Sequence, residues 1–198
     1  MTAATKQRSD TAEQILDLAE TLIQTRGYSA FSYQDIADAL GIRKASIHYH
    51  FPSKTDLGVA VIDRYIVKFD AALIEIANDQ TQSSMAMLDF YVRPYLQFAS
   101  TPDRVCLSAA LAGEMLALPP EIRARVEHFF KTHQAWLTKI LKRGAARGEF
   151  ELQAPAPKVA RMMFGALQGA LLVKRATGDI AQINDVIAVA KLQLAARA

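Results

Sequence analysis

FSYQDIADALGIRKASIHYHFPSKTDL, Phe31 to Leu57, is the stretch that decides the fold. Tyr33 to Leu40 brings Ile36, Ala37 and Leu40 onto one face at helical spacing, and Gly41 supplies a residue that turns sharply without a side-chain clash. A second helix restarts at once. From Arg43 to Phe51 only Ala45, Ile47 and Phe51 are apolar, so one face packs inward while Arg43, Lys44, Ser46, His48, Tyr49 and His50 remain for an outside partner. The pattern predicts a helix-turn-helix whose second helix is the reading element. Between Gly41 and Thr55 stand three basic residues, Arg43, Lys44 and Lys54, and no acidic one, with Tyr49 and two histidines interleaved. Backbone phosphates are the natural partner of such a surface. Pro52 ends the helix, and Ser53-Lys54-Thr55-Asp56 offers a capping box for the next. Taken alone, the same pattern also suits a solvated helical hairpin in an all-α protein.

The run F-S-Y-x-D-I-A-x-x-x-G-I-x-K-x-S-I-x-x-H-F-x-S-K-x-x-L resembles the signature of the TetR family of bacterial transcriptional regulators, over nearly the whole region from Gly27 to Leu57. One departure is His48, where the family usually has a tyrosine. The resemblance implies an all-α chain of about nine helices. It implies a three-helix DNA-binding module over residues 1–53 and a helical ligand-sensing and dimerisation domain over residues 54–198. It implies a homodimeric repressor released from a roughly palindromic double-stranded operator by an inducer. Tyr33, Lys44, Tyr49, His50 and Lys54 are expected to hold phosphates, and Arg43, Ala45, Ser46 and His48 to lie closest to base edges.

Length and composition agree with such a protein. A chain of 198 residues buries one sizeable core plus a small appended module, and 51% apolar content with 22% charge is ordinary for a globular chain. The net charge of +3 is weak support for a polyanion partner, because Met1 to Leu57 holds six Lys/Arg against seven Asp/Glu. The local basic run carries that argument. A single cysteine excludes an intrachain disulfide and fits a reducing compartment. The most apolar run, Met162 to Val173, is twelve residues long and contains Gln168, too short to span a bilayer. Lys6, Arg8 and Asp10 lead into an amphipathic helix rather than the apolar core of a signal peptide. The expected location is the cytoplasm, with no membrane partner.

Met1 to Ser9 reads as a polar arm in which Lys6 and Arg8 reach phosphate. Asp10 with Glu13 reads as the cap of a first helix that buries Ile15, Leu16, Ala19, Leu22 and Ile23 and stops at Gly27. The fourth helix is expected from about Asp56 to Ala77, with Tyr65 and Phe69 on its inner side, long enough to link the module to the rest. Met85 to Ala99 follows, with Tyr91, Tyr95 and Phe98 near one side and a kink at Pro94. These aromatics line a pocket or merely fill a core. Val105 to Leu118 reads as one helix in which Glu114, the only ionisable side chain, bonds to a buried tyrosine or arginine or to a polar ligand. The helix from Pro119-Pro120 to about Arg147 buries Trp136 and stops at Gly148.

The last two helices, Pro157 to Thr177 and Ile180 to Ala196, are more apolar than one protomer needs. Gly165 and Gly169 let another helix approach closely within the Met162 to Val173 run, which includes Leu172. Ile183, Val186, Ile187 and Ala190 line the final helix. In the family this chain resembles, these helices form the dimer interface, and a two-fold dimer sets its recognition helices about 34–36 Å apart.

Cys106 is ordinarily an inert core thiol, although a helix start and Arg104 favour the thiolate. The run Cys106 to Arg123, C-L-x-x-x-L-x-x-E-x-x-x-L-x-x-x-I-R, is similar to a subgroup of TetR-like repressors that sense electrophiles and oxidants through this cysteine. Lys174 matches a lysine of that subgroup that approaches the thiol. The alternative is a reversible small-molecule inducer with Cys106 inert. An all-α enzyme is the remaining class, but no phosphate-cradling glycine loop, metal-spaced His/Cys set or nucleophile-base motif is present. His128 and His133, five apart, do not share a face well enough to bind a metal, and no cofactor is implied.

Overall fold

The computed structural model describes residues 3–195, with side chains described from Asp10 onward. Nine helices run among the described residues: α1 (Ala3–Arg26), α2 (Tyr33–Leu40), α3 (Lys44–His50), α4 (Lys54–Asn78), α5 (Ser84–Ser100), α6 (Leu107–Gly113), α7 (Pro120–Ala146), α8 (Ala156–Thr177) and α9 (Ala181–Leu194). The one β feature described is an isolated bridge between Phe150 and Ala195. The expected all-α architecture is therefore the observed one.

The chain forms two compact units. One takes residues through Ile66 together with Leu107–Glu127, and the other takes Val67–Cys106 together with His128 onward. Helices α4 and α7 each contribute residues to both.

In the first unit α1 buries Ile15, Ala19 and Ile23, α2 adds Ile36 and Ala37, α3 adds Ile47, and α4 adds Leu57, Val61 and Ile62. The periodic apolar positions of the sequence thus converge on one small core. Arg64 of α4 ties that core's rim to α1. Its guanidinium reaches Glu13 at 2.9 Å, Asp17 at 2.8 Å and Glu20 at 3.1 Å, three carboxylates spaced so that they share a helix face. Helix α1 begins at Ala3, so Asp10 lies inside it rather than capping it. Ala3, Ala4, Lys6, Gln7 and Arg8 are good helix formers that continue the turn outward. The side chains of Lys6 and Arg8 lie outside the described residues.

Helix α6 is shorter than the Val105 to Leu118 reading. It ends at Gly113, and hydrogen-bonded turns follow, Glu114 N–H to the Leu111 carbonyl at 3.0 Å and Ala117 N–H to that of Glu114 at 2.8 Å. The helix ends before Pro119, and the Glu114 side chain just beyond it turns to the backbone amides of Tyr28 and Ser29. Cys106 accordingly precedes α6 instead of lying within it.

In the second unit, α5 continues through Pro94 without a break. Phe129, Leu137, Ile140 and Leu141 of α7 are buried, and on the same helix Trp136 stacks on Tyr91 of α5 while Phe130 meets Phe164 of α8 edge-on. Gly178, in the left-handed region at φ 74°, caps α8 by donating its N–H to the Lys174 carbonyl at 2.8 Å.

Candidate nucleic-acid interface and effector core

The helix-turn-helix is built by local chemistry. Ser32 caps α2: its hydroxyl accepts from the N–H of Gln34 at 3.2 Å and of Asp35 at 3.4 Å, while the Asp35 carboxylate accepts from the Ser32 N–H at 2.7 Å. The Ser32 hydroxyl and N–H together hold the Asp35 carboxyl below the usual range. Gly41 at φ 64° makes the turn, and Ile42 N–H bonds back to the Ala37 carbonyl at 3.1 Å. Helix α3 then buries Ile47 and leaves Arg43, Lys44, Ala45, His48 and Tyr49 exposed, with Ser46 and His50 half-buried. Tyr49 is 63% exposed, a large aromatic at solvent on the helix that opens with Lys44. Phosphate and base edges are what such a surface suits.

Two of the nine residues expected at DNA turn inward instead. Tyr33 is buried, and its hydroxyl donates to the Phe51 carbonyl at 2.8 Å. Burial, with Asp56 and Tyr28 nearby, pushes its pKa up to about 12. Lys54 donates to the Phe31 carbonyl and sits over the rings of Tyr28, at 4.7 Å, and Phe31, at 4.4 Å, and burial lowers its pKa. A polar tip on a long or aromatic body satisfies a backbone carbonyl while the body fills the core. Glu114, expected to bond a buried tyrosine or arginine side chain or a polar ligand, instead lies in the first unit against the turn after α1 and bonds backbone amides. Its oxygens accept from the backbone N–H groups of Tyr28 at 2.6 Å and Ser29 at 2.9 Å.

The second unit contains a buried polar chain among aromatics. Tyr91 hydroxyl lies 3.1 Å from His133 Nδ1 and 3.5 Å from the Tyr95 hydroxyl. Gln168 Nε2 donates to Tyr95 at 3.1 Å and points to Cys106 Sγ at 3.7 Å. Tyr91 stacks on Trp136 at 5.2 Å, and the rings of Phe69 and Phe129 flank His133. Trp136 donates to the Leu73 carbonyl at 2.8 Å. Burial pushes His133 down to about 3 and raises Tyr91, so both are neutral near pH 7. His133 Nε2 and Gln168 Oε1 are buried with no hydrogen-bond partner. Cys106 is 3% exposed. Lys174, also buried, donates to the Thr101 carbonyl at 3.1 Å. Phe98 is half-buried beneath Arg104 at 5.8 Å, and Tyr65 belongs to the first unit's core, so neither joins this cluster with Tyr91. His133 and Gln168 were not foreseen as its members. Their signal was faint, a lone polar residue on an otherwise apolar helix face.

Residues 15–61 match the family model of bacterial regulatory proteins of the tetR family, and residues 85–190 match that of the tetracyclin repressor-like C-terminal domain. The chain belongs to the TetR family. A TetR-family regulator from Agrobacterium tumefaciens is 33% identical, superposes with a TM-score of 0.89, and is matched over 96% of this chain and 100% of its own. The transcriptional regulator AcuR of Cereibacter sphaeroides is 27% identical over 149 residues, 74% of this chain and 68% of its own. The icaADBC biofilm-operon negative regulator IcaR of Staphylococcus aureus is 25% identical over 138 residues, 64% of this chain and 73% of its own. TetR proteins are transcriptional regulators, not enzymes.

In this TetR protein α8 and α9 pack on one another, and their outer side is apolar. Met162, Gly165, Leu172 and Val189 are exposed, Gly169, Val186 and Ala190 partly so, and a Cβ added at Gly165 or Gly169 would meet nothing within 4 Å. Two grooves of about 380 Å³ and about 290 Å³ run along it, sharing Met162, Met163, Ala190 and Gln193. Ile183 and Ile187, expected on the partner face, are buried where α9 meets α8 and α5 inside the protomer. No helix among the described residues is long and apolar enough to cross a membrane.

Proposed function

We propose that this TetR protein is a homodimeric repressor that binds a roughly palindromic operator through α3 and lets go when an inducer acts on its second unit. The observation that carries the reading is the division of α3, with Ile47 fully buried beneath and Arg43, Lys44, Ala45 and Tyr49 outside. Lys44, Tyr49 and His50 hold phosphates, while Arg43, Ala45, Ser46 and His48 face base edges. The open side of α8 and α9, from Met162 through Gly169 and Leu172 to Val189, supports pairing with a second copy. The site of action is the cytoplasm, where operator DNA is available.

Helix α4 supplies Leu57 and Ile62 to the first unit and Leu73 and Ala77 to the second. Repacking around Leu73 therefore reaches α3's support along one continuous helix. A shift of about 3 kcal/mol lowers operator affinity roughly a hundredfold, within ordinary allosteric coupling. The effector centre is the cluster of Tyr91, Tyr95, Phe69 and Trp136. Cys106 at its edge is the point at which an electrophile or oxidant acts, with Lys174 on the same unit. A Cys106→Ser protein that releases DNA as wild type does under quinone treatment assigns the response to a reversible ligand instead.

The operator test is selection from a random DNA pool with purified protein. Enrichment of an inverted repeat is the expected result, and absence of any enriched sequence overturns the reading.

A further inference from the structure

His48, on the outer face of α3, has its hydrogen-bonding polarity set by the fold. It is exposed, yet its Nδ1 lies 3.1 Å from the carbonyl oxygen of Pro52. A carbonyl oxygen only accepts, so Nδ1 carries the hydrogen. The neutral ring holds one N–H, which leaves Nε2 as an acceptor.

The ring is also braced. It meets the buried Tyr33 ring edge-on, with centroids 4.8 Å apart and planes at 63°. Tyr33 in turn donates to the Phe51 carbonyl at 2.8 Å. Successive carbonyls at the end of α3, those of Phe51 and Pro52, are thus taken by Tyr33 and His48. Turning the imidazole over would forfeit the Pro52 bond. Elsewhere on this face Arg43 and Lys44 only donate, so His48 supplies the contrasting polarity.

We propose that His48 reads the operator through Nε2 as an acceptor, selecting a base with an exocyclic amino group in the major groove, adenine N6 or cytosine N4. This rests on the reading of α3 as the recognition helix. Guanine presents N7 and O6 and thymine presents O4, all acceptors, which an acceptor on the protein opposes. A tyrosine hydroxyl both donates and accepts and would impose no such choice.

The test begins with operators selected from a random pool by the full-length protein and by His48→Ala. The base position whose preference the variant loses is resynthesised without the exocyclic amine, as nebularine for adenine or deoxyzebularine for cytosine. A second duplex carries a 7-deazapurine, which lacks N7. Amine removal should weaken the wild type about fivefold more than His48→Ala, the worth of one hydrogen bond, and N7 removal should affect both alike. Comparing the two proteins cancels any weakening of the duplex itself. Equal loss on amine removal, coupling to N7 instead, or no position altered by His48→Ala overturns the assignment. Imidazole ¹⁵N spectra, with His48 identified by the signal missing in His48→Ala, should show Nδ1 protonated; an Nε2-protonated ring overturns it independently. An enriched inverted repeat without amine coupling removes only the His48 proposal, whereas no enriched sequence removes the operator reading and this one with it.

Discussion

The Glu114 carboxylate accepts a 2.6 Å hydrogen bond from the backbone N–H of Tyr28, and its second oxygen accepts from Ser29 at 2.9 Å. Gly27, just before, stands at φ 100°, and a Cβ there would come within 2.4 Å of Glu114 Oε1. The turn between α1 and α2 is therefore closed by a side chain from the segment after α6. Two charge-assisted bonds to the backbone amides of this turn make Glu114→Ala costly, about 1.5–3 kcal/mol. Gly27→Ala suffers both from its backbone conformation and from the carboxylate. Urea melts of the two single variants and the double should show the double less destabilised than the sum, because removing Glu114 relieves the clash. Additive losses would mean that the two residues are not coupled.

Tyr33 separates a structural from a DNA-contact role. Tyr33→Phe removes the bond to the Phe51 carbonyl and should cost about 1–2 kcal/mol of stability. Operator affinity at a temperature where the variant is folded should change less than twofold. A large affinity loss with unchanged stability would return Tyr33 to the DNA surface.

Lys44 and Arg43 are both exposed at the start of α3 but serve different ends. Lys44→Ala should weaken binding to all sequences and lower the salt slope by about 1. Arg43→Ala should change base preference at one position, by about 1–3 kcal/mol of discrimination. Titrations across an operator panel at several salt concentrations distinguish the two, and identical profiles would erase the division.

His133 gives a pH dependence with a definite sign. Its folded pKa of about 3 lies below the ordinary 6.5 because burial disfavours the imidazolium. Between those values the unfolded chain binds the extra proton, so stability is full above about pH 6.5 and falls as pH drops through that window. The slope from this one group approaches about 1.4 kcal/mol per pH unit. Denaturant melts from pH 7 to pH 4 should show a shallower decline for His133→Phe than for wild type. An equal decline in both would place the acid sensitivity elsewhere.

Val189 is 51% exposed on the open side of α9, so a charge there tests the proposed pairing through that face. Val189→Asp should sediment as a monomer at micromolar concentration. Losing the second reading head should cost operator affinity about a hundredfold. A dimeric Val189→Asp protein with normal binding would place the interface on another face.

Most of the helical framework was legible because apolar residues such as Ile15, Ala19 and Ile23 of α1 repeat at helical spacing and can only be buried together. The inward turn of Tyr33 and Lys54 was not. Spacing marks them as polar, yet each has a body that packs and a tip that satisfies a carbonyl, and only the fold says which carbonyl is near. Glu114 finds its amides 86 and 85 residues away in sequence, a partnership that periodicity does not encode. The clue was Gly27, read as a helix stop but also needed for the carboxylate's approach. Helix α9 carries apolar residues on more than one side, so sequence did not separate Ile183 and Ile187, which fill the protomer, from Val186 and Val189, which do not. The start of α1 was missed because a cap signal at Asp10 competes with good helix formers before it.

The central claim, a pair of α3 helices set into successive major grooves on one side of a duplex, is tested most directly by hydroxyl-radical footprinting on the selected operator. Two protected patches on one face, about one helical turn or 34–36 Å apart, are the predicted result. A single patch, or patches on opposite faces, would contradict it.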